Sequence, residues 1–158
     1  MGFVCDTMLA RLARWLRIMG VEAEYYGVID DDMLIQKRPK GAIILTRDRD
    51  LASRPEAQPC YFVKSNEIWG QIKEVAKHFD ISVDPDKMLS LCPVCGLELS
   101  EIQRQKARGL VPPFVYARAK KFYRCPNCAK MFWDATHTRN MKRLLAQTFG
   151  HSGRGDES

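Results

Sequence analysis

The chain has 158 residues, with 25 Lys and Arg against 19 Asp and Glu and a formal net charge of +6. That length suffices for one good core, or for a main domain with a small appendage. No apolar run reaches membrane-spanning length. Arg11, Arg14 and Arg17 break the one N-terminal stretch that would suit a signal sequence, so the expected location is the cytoplasm and no membrane contact is expected.

In chain order, Phe3 to Cys5 reads as a strand ending at Asp6. From Thr7 to Met19 the apolar period becomes helical, with Leu9, Leu12, Ala13 and Leu16 on one face and Gly20 as the stop. Ala23 to Tyr26 reads as a second strand. Asp30-Asp31-Asp32 opens a short helix running to about Gln36, where a helix N-terminus favours acids. Ala42 to Thr46 is a buried-type strand running into Arg47-Asp48, with Asp50 two residues on. Tyr61 to Val63 is another strand. Ser65 or Asn66 is placed to cap a helix whose inward face is Ile68, Trp69, Ile72, Val75, Ala76 and Phe79. This alternation predicts an α/β domain with a mainly parallel sheet flanked by helices.

Asp84-Pro85-Asp86 marks a break, giving an expected domain over residues 1–85 and a second unit over 86–149. The first 85 residues carry 12 basic against 13 acidic side chains, and the rest 13 against 6, so the excess positive charge lies in the second part. Such a surface suits a polyanion, and equally a plain solvated face. Thr138 to Phe149 again has a helical period, and residues 150–158 read as a disordered tail.

Cys92-Pro-Val-Cys95-Gly and Cys125-Pro-Asn-Cys128-Ala are two knuckles separated by 29 residues. Without a secretory signal, that pattern argues for metal rather than disulfides. Four thiolates satisfy tetrahedral zinc with no open position, which makes the site structural. Lys120 to Tyr123 and Met131 to Trp133 are the flanking hairpin strands expected of such a ribbon. Cys5 and Cys60 lie in apolar runs and read as buried thiols.

The chemistry is carried by Asp6, Asp31, Asp48 and Asp50. Ligands in parallel sheets sit outside the carboxyl ends of the strands, where Asp6 and Asp48 are expected. Gathered carboxylates suit magnesium or manganese, and such sites suit the cutting of phosphodiesters. Asp6, Asp31 and Asp48 are the candidate metal ligands and Asp50 a fourth catalytic acid. Each also has a plain alternative: a helix cap for Asp6, a helix-start acid for Asp31, a solvated turn for Asp48 and Asp50. Thr46 is placed to hydrogen-bond a ligating carboxylate, or merely to end a strand.

Arg11, Arg14 and Arg17 recur at helical spacing, either to hold phosphates, to pair with acids or to face solvent, with Arg11 or Arg14 favoured near the acids. Tyr116, Arg118, Lys120, Lys121, Phe122, Tyr123, Arg124 and Lys130 interleave aromatic and basic side chains, as in grips on single-stranded RNA, although Phe122 or Tyr123 is expected in the ribbon core. His137 is a polar contact, a proton-transfer group or a structural histidine.

The segments F-V-C-D-T-M-L-A-R-L-A-R-W-L-R-I-M-G, D-D-D-M-L-I, I-L-T-R-D-R-D-L, C-P-V-C-G, V-P-P-F-V-Y and F-Y-R-C-P-N-C-A-K-M-F-W together resemble the Mut-seven C-terminal ribonuclease family over about residues 2–145. These are PIN-like nuclease domains with a zinc ribbon. The resemblance implies a PIN-like α/β fold and divalent-metal-dependent (endo)ribonuclease activity, with Asp6, Asp31 and Asp48 as the matching acids and Asp50 as the fourth. The alternative class is a non-catalytic RNA-binding or ribosome-associated ribbon module, and a third reading is a toxin held by a partner protein.

Overall fold

The computed structural model describes residues 2–82, 84, 87–134 and 143. The helix expected over 138–149, His137 and the expected tail over 150–158 lie outside these residues, apart from Arg143.

A parallel sheet of four strands has the order β2 (Ala23–Tyr25), β1 (Phe3–Cys5), β3 (Ile43–Thr46) and β4 (Cys60–Phe62). The two central strands, β1 and β3, are almost wholly buried, which is why they read as continuous apolar runs rather than alternating ones. Helices α1 (Ala10–Ile18) and α4 (Ile68–His78) cover one face. Their Leu12, Ala13, Leu16, Ile72 and Val75 pack with Phe3, Cys5 and Leu45. On the other face Leu34 of α2 (Asp31–Lys37) and Leu51 of α3 (Arg49–Ser53) pack on Val4 and Ile44.

The expected α/β alternation is therefore present, with two short elements that the pattern did not show, helix α3 and a 3-10 turn over Pro55–Ala57. Helix α3 has only five residues, too few to leave a visible period. The cap of α4 also differs from the expectation. Glu67 receives the Trp69 N–H at 3.2 Å, while Ser65 Oγ receives the N–H of Glu67. Trp69 is 37 % exposed and leans on Trp15, with ring centroids 5.0 Å apart, so it seals the α1–α4 seam from outside instead of filling the core.

Met88 packs into the same cluster as α1 and α4, and Leu89 N–H donates to the carbonyl of Ile18, so the chain leaving the first unit stays bound to it. Beyond it, β5 (Ser100–Ile102), β6 (Phe122–Arg124) and β7 (Met131–Trp133) form a small antiparallel sheet. Two short helices, α5 (Arg104–Ala107) and α6 (Pro113–Arg118), connect β5 to β6. Ala107, Val111, Val115, Ala119 and Phe122 form the apolar centre there. The expected hairpin strands are β6 and β7; the third strand and both helices were not foreseen, being three to six residues long.

Arg17 joins the two units. Its side chain is 5 % exposed, donating from Nε to the Ala23 carbonyl at 2.7 Å and from Nη1 to the carbonyls of Pro93 and Val94 at 3.2 and 2.9 Å. Gly96, in the left-handed region, lies against the same guanidinium, where a Cβ would stand 3.0 Å from Nε. Arg11 and Arg14 are exposed. The equal spacing hides this difference. Each step of three residues lags a 3.6-residue turn by about 60°, so three arginines spread over about a third of the circumference and the last turns inward.

Candidate active site and metal centre

Strands β1 and β3 are neighbours, yet the chain visits β2 between them, so the sheet reverses its winding there. The crevice beyond the carboxyl ends at such a point is where α/β sheets place ligands. Asp6 follows β1 and Asp48 lies two residues past β3, so both stand at this edge.

Asp6 is 7 % exposed. Its Oδ1 accepts the Thr7 N–H at 2.7 Å and its Oδ2 accepts the Thr46 hydroxyl at 2.8 Å. The Thr46 hydroxyl in turn accepts the Asp48 N–H at 2.9 Å, so one buried side chain sets the spacing of the two strand ends. A hydrogen bond to an ionised acceptor of this kind contributes about 1.5–3 kcal/mol. Asp48 Oδ1 accepts the N–H groups of Asp50 and Leu51, at 2.8 and 3.4 Å, capping α3.

The three consecutive acids at the start of α2 separate into three roles. Asp30 caps the helix, accepting the Met33 N–H at 2.8 Å. Asp32 pairs with Arg54 at 2.6 Å on the surface. Asp31 is the one that faces the other acids. Burial first, then the charges of Asp6 and Asp48, hold its carboxyl above the usual carboxylate range, against the opposing pull of Arg54. The 27–29 loop brings it there: the Thr7 hydroxyl donates to the Gly27 carbonyl at 3.1 Å, and the Tyr25 hydroxyl donates to the Thr7 carbonyl at 2.9 Å. Asp50 is exposed in the first turn of α3.

A carboxyl raised in the fold binds its proton more readily there than in the unfolded chain. Stability therefore falls as pH rises through that range. Burial and the neighbouring acids disfavour the charged form of Asp31, and Asp31→Asn is expected to raise the melting temperature in metal-free buffer. Thermal scans of both proteins check this, and an unchanged or lowered value contradicts it.

Among the described residues, the sulfurs of Cys92, Cys95, Cys125 and Cys128 are the one group of three or more metal-type donors lying within 4.8 Å of one another. Cys92 and Cys128 Sγ are 3.8 Å apart. Tetrahedral zinc with bonds of about 2.3 Å requires about that separation. The donors around the sulfurs fit thiolates as well. Cys95 N–H points at Cys92 Sγ at 3.3 Å, Asn127 Nδ2 at Cys95 Sγ at 3.3 Å, and the N–H groups of Asn127 and Cys128 at Cys125. The residue after each knuckle, Gly96 or Ala129, takes positive φ (76° and 60°), which turns the chain back over the sulfurs. These four cysteines can hold a structural metal ion, and the ribbon they close is of the zinc-ribbon kind. Cys5 is fully buried and burial pushes its thiol up to about 12; Cys60, half-buried, is pushed up to about 11.

The expected nucleic-acid contacts divide. Arg11, Arg14, Arg118, Lys120, Lys121 and Arg124 are exposed. Tyr123 is only partly exposed and packs with the cysteines, so its ring belongs to the ribbon. Phe122 is 1 % exposed. Tyr116 is covered by Arg104, whose guanidinium stands 4.4 Å from its ring centroid and donates to the carbonyls of Tyr116 and Ala119.

A parallel α/β sheet with aspartates at its winding reversal, tied to a four-cysteine ribbon, defines an acid-edged α/β domain with a metal-stapled appendage. The family described as the Mut7-C RNAse domain matches residues 1–145, and this chain belongs to it. The chain is also 36 % identical over 101 residues to the human protein named Exonuclease mut-7 homolog, covering 60 % of this chain and 12 % of that protein. The chain thus corresponds to about an eighth of that relative's length. No solved structure matches. Among the described residues no helix is long and apolar enough to cross a membrane.

Proposed function

We propose that this domain is a PIN-like, divalent-metal-dependent ribonuclease whose crevice is formed by Asp6, Asp31 and Asp48. The observation that supports it best is the action of Asp6 and Asp48 on the Asp31 carboxyl, since acids from three elements feel one another at the winding reversal of the sheet. Like charges that hold a carboxyl above its usual range despite a nearby arginine suit cations. Magnesium or manganese would supply charge neutralisation and activation of water at the scissile phosphate. Magnesium retains several waters when bound, so carboxylates can hold it through them as well as directly. Thr46 orients the Asp6 carboxylate, Asp48 presents its free oxygen while capping α3, and exposed Asp50 stands at the rim. The family name supports RNA as substrate, and the exposed cations of the ribbon support its grip on the backbone. In this reading the four cysteines hold zinc, in a compartment that keeps thiols reduced.

The test is manganese-dependent degradation of labelled RNA by the purified chain. Asp48→Asn is the cleanest variant because asparagine caps a helix as well as aspartate does. Asp6→Asn keeps an oxygen for the Thr46 hydroxyl. Each is expected to lower cleavage on the order of 10²-fold or more, with RNA binding retained. Unchanged cleavage in both variants, in the presence of chelator, would end the proposal. A circular RNA is cut only by endonucleolytic action, so it separates that mode from the exonuclease mode that the human relative's name carries. Among the described residues the aspartates form no donor group like that of the cysteines, which favours one second reading, a non-catalytic RNA-binding module. Salt-sensitive, metal-independent binding without cleavage would establish it.

A further inference from the structure

Among the described residues of the ribbon, Phe114 is the one exposed aromatic side chain, whereas Tyr116, Tyr123, Phe132 and Trp133 are partly buried. Phe122 is in the core, Tyr116 lies under Arg104, and Tyr123 packs at the cysteines, but Phe114 is 67 % exposed. It sits in α6, whose inward residue is Val115 and whose first residue, Pro113, follows another proline. Two prolines stiffen the entry to this helix and lower the entropy lost when a ligand settles on it. Arg118 stands four residues further on, on the same helical face as Phe114, and is exposed, as are Leu110 (48 %) and Arg108 just before the helix. Residues 97–130 carry eight Lys and Arg against two Glu. A bare phenyl ring on so basic a surface is costly to leave in water and is poorly suited to a basic or neutral protein partner. A polyanion with flat apolar faces matches both features.

We propose that Phe114 is the base-stacking residue of the ribbon and that Arg118 holds the adjoining phosphate, so that this face takes single-stranded RNA in preference to duplex. The physical ground is that every unpaired base offers a π-face, whereas a duplex keeps its faces stacked internally and offers only backbone and grooves. This deepens the ribonuclease reading and rests on it for the identity of the polymer, but binding can be measured without cleavage.

The experiment uses the full chain carrying Asp48→Asn and a fluorescein-labelled 12-nucleotide uridine-rich RNA, single-stranded or annealed to its complement. Phe114→Ala is expected to weaken single-strand binding about ten-fold and to leave duplex binding nearly unchanged. Phe114→Trp is expected to retain affinity, with an added indole fluorescence, relative to the parent, that RNA quenches. With Asp48 restored, Phe114→Ala is expected to raise KM while leaving kcat. Equal affinity of Phe114→Ala and parent for the single strand overturns the proposal, as does an equal loss for duplex or an unquenched Trp. A change confined to self-association, read by light scattering, also overturns it and assigns the face to a second copy of the chain. If the wild-type chain binds single strands through Phe114 but cuts nothing, this inference stands and the ribonuclease reading falls.

Discussion

Removing metal from the four-cysteine site, by strong chelator or by Cys125→Ser, is expected to unfold the ribbon and to lower the melting temperature of the whole chain. The ribbon's apolar centre is small: five buried residues around Phe122, with a second cluster consisting of Cys92, Leu99 and Cys125. A core of that size cannot offset the conformational entropy of ordering some forty residues. Structural zinc contributes apparent free energies of about 10–16 kcal/mol in small zinc modules, more than the net stability of most domains. The effect should also reach the parallel sheet, because the first knuckle supplies two of the three carbonyls that satisfy buried Arg17. Near- and far-UV circular dichroism melts of metal-loaded and chelated protein, with zinc release followed by a chromogenic chelator, check this. An unchanged melt after full release of the metal would show that the cysteines do not hold the fold together.

Arg17→Met is expected to destabilise the chain by about 3 kcal/mol, since two buried carbonyls and one part-buried carbonyl lose a charged donor and each unsatisfied buried group costs about 1–3 kcal/mol, not fully additively. For a chain of this length that lowers the melting temperature by about 10 °C. Arg17→Lys should recover only part of the loss, because a single ammonium cannot reproduce the fork that reaches Ala23 on one side and Pro93 and Val94 on the other. The same change at exposed Arg14 should stay within about 0.5 kcal/mol. Arg17→Met should also speed zinc release, which a role confined to α1 would not. Denaturant melts and release kinetics on the three variants separate these outcomes, and an Arg17→Met protein as stable as Arg14→Met would refute the account.

The acidic triplet shows how far local pattern reaches. That Asp30, Asp31 and Asp32 begin a helix follows from their charge and from Leu34 and Ile35 behind them. Which of the three meets Asp6 and Asp48 depends on where the helix begins. Successive residues point about 100° apart around the axis, so the choice of Asp30 as cap sends Asp31 to the crevice and Asp32 to Arg54. Asp48 starts a helix where its plain alternative was a solvated turn: one oxygen caps α3 while the residue stands at the sheet's carboxyl edge. Thr46 likewise ends a strand and holds a carboxylate.

The sequence by itself determined the four-cysteine cluster, the layered α/β class and the position of Asp6 and Asp48 just past buried strands. Those features are set by short-range spacing: two residues between thiols, and apolar runs that can only be central strands. Only the tertiary structure decided that β3 lies beside β1, that Arg17 is a buried link while Arg11 and Arg14 face water, and that Phe114 rather than Tyr123 is the ring left open. Each of these depends on a partner distant along the chain, such as Leu45 for Asp6 or Pro93 for Arg17. Helical or strand period specifies the direction a side chain leaves its own element, but burial is decided by what stands opposite.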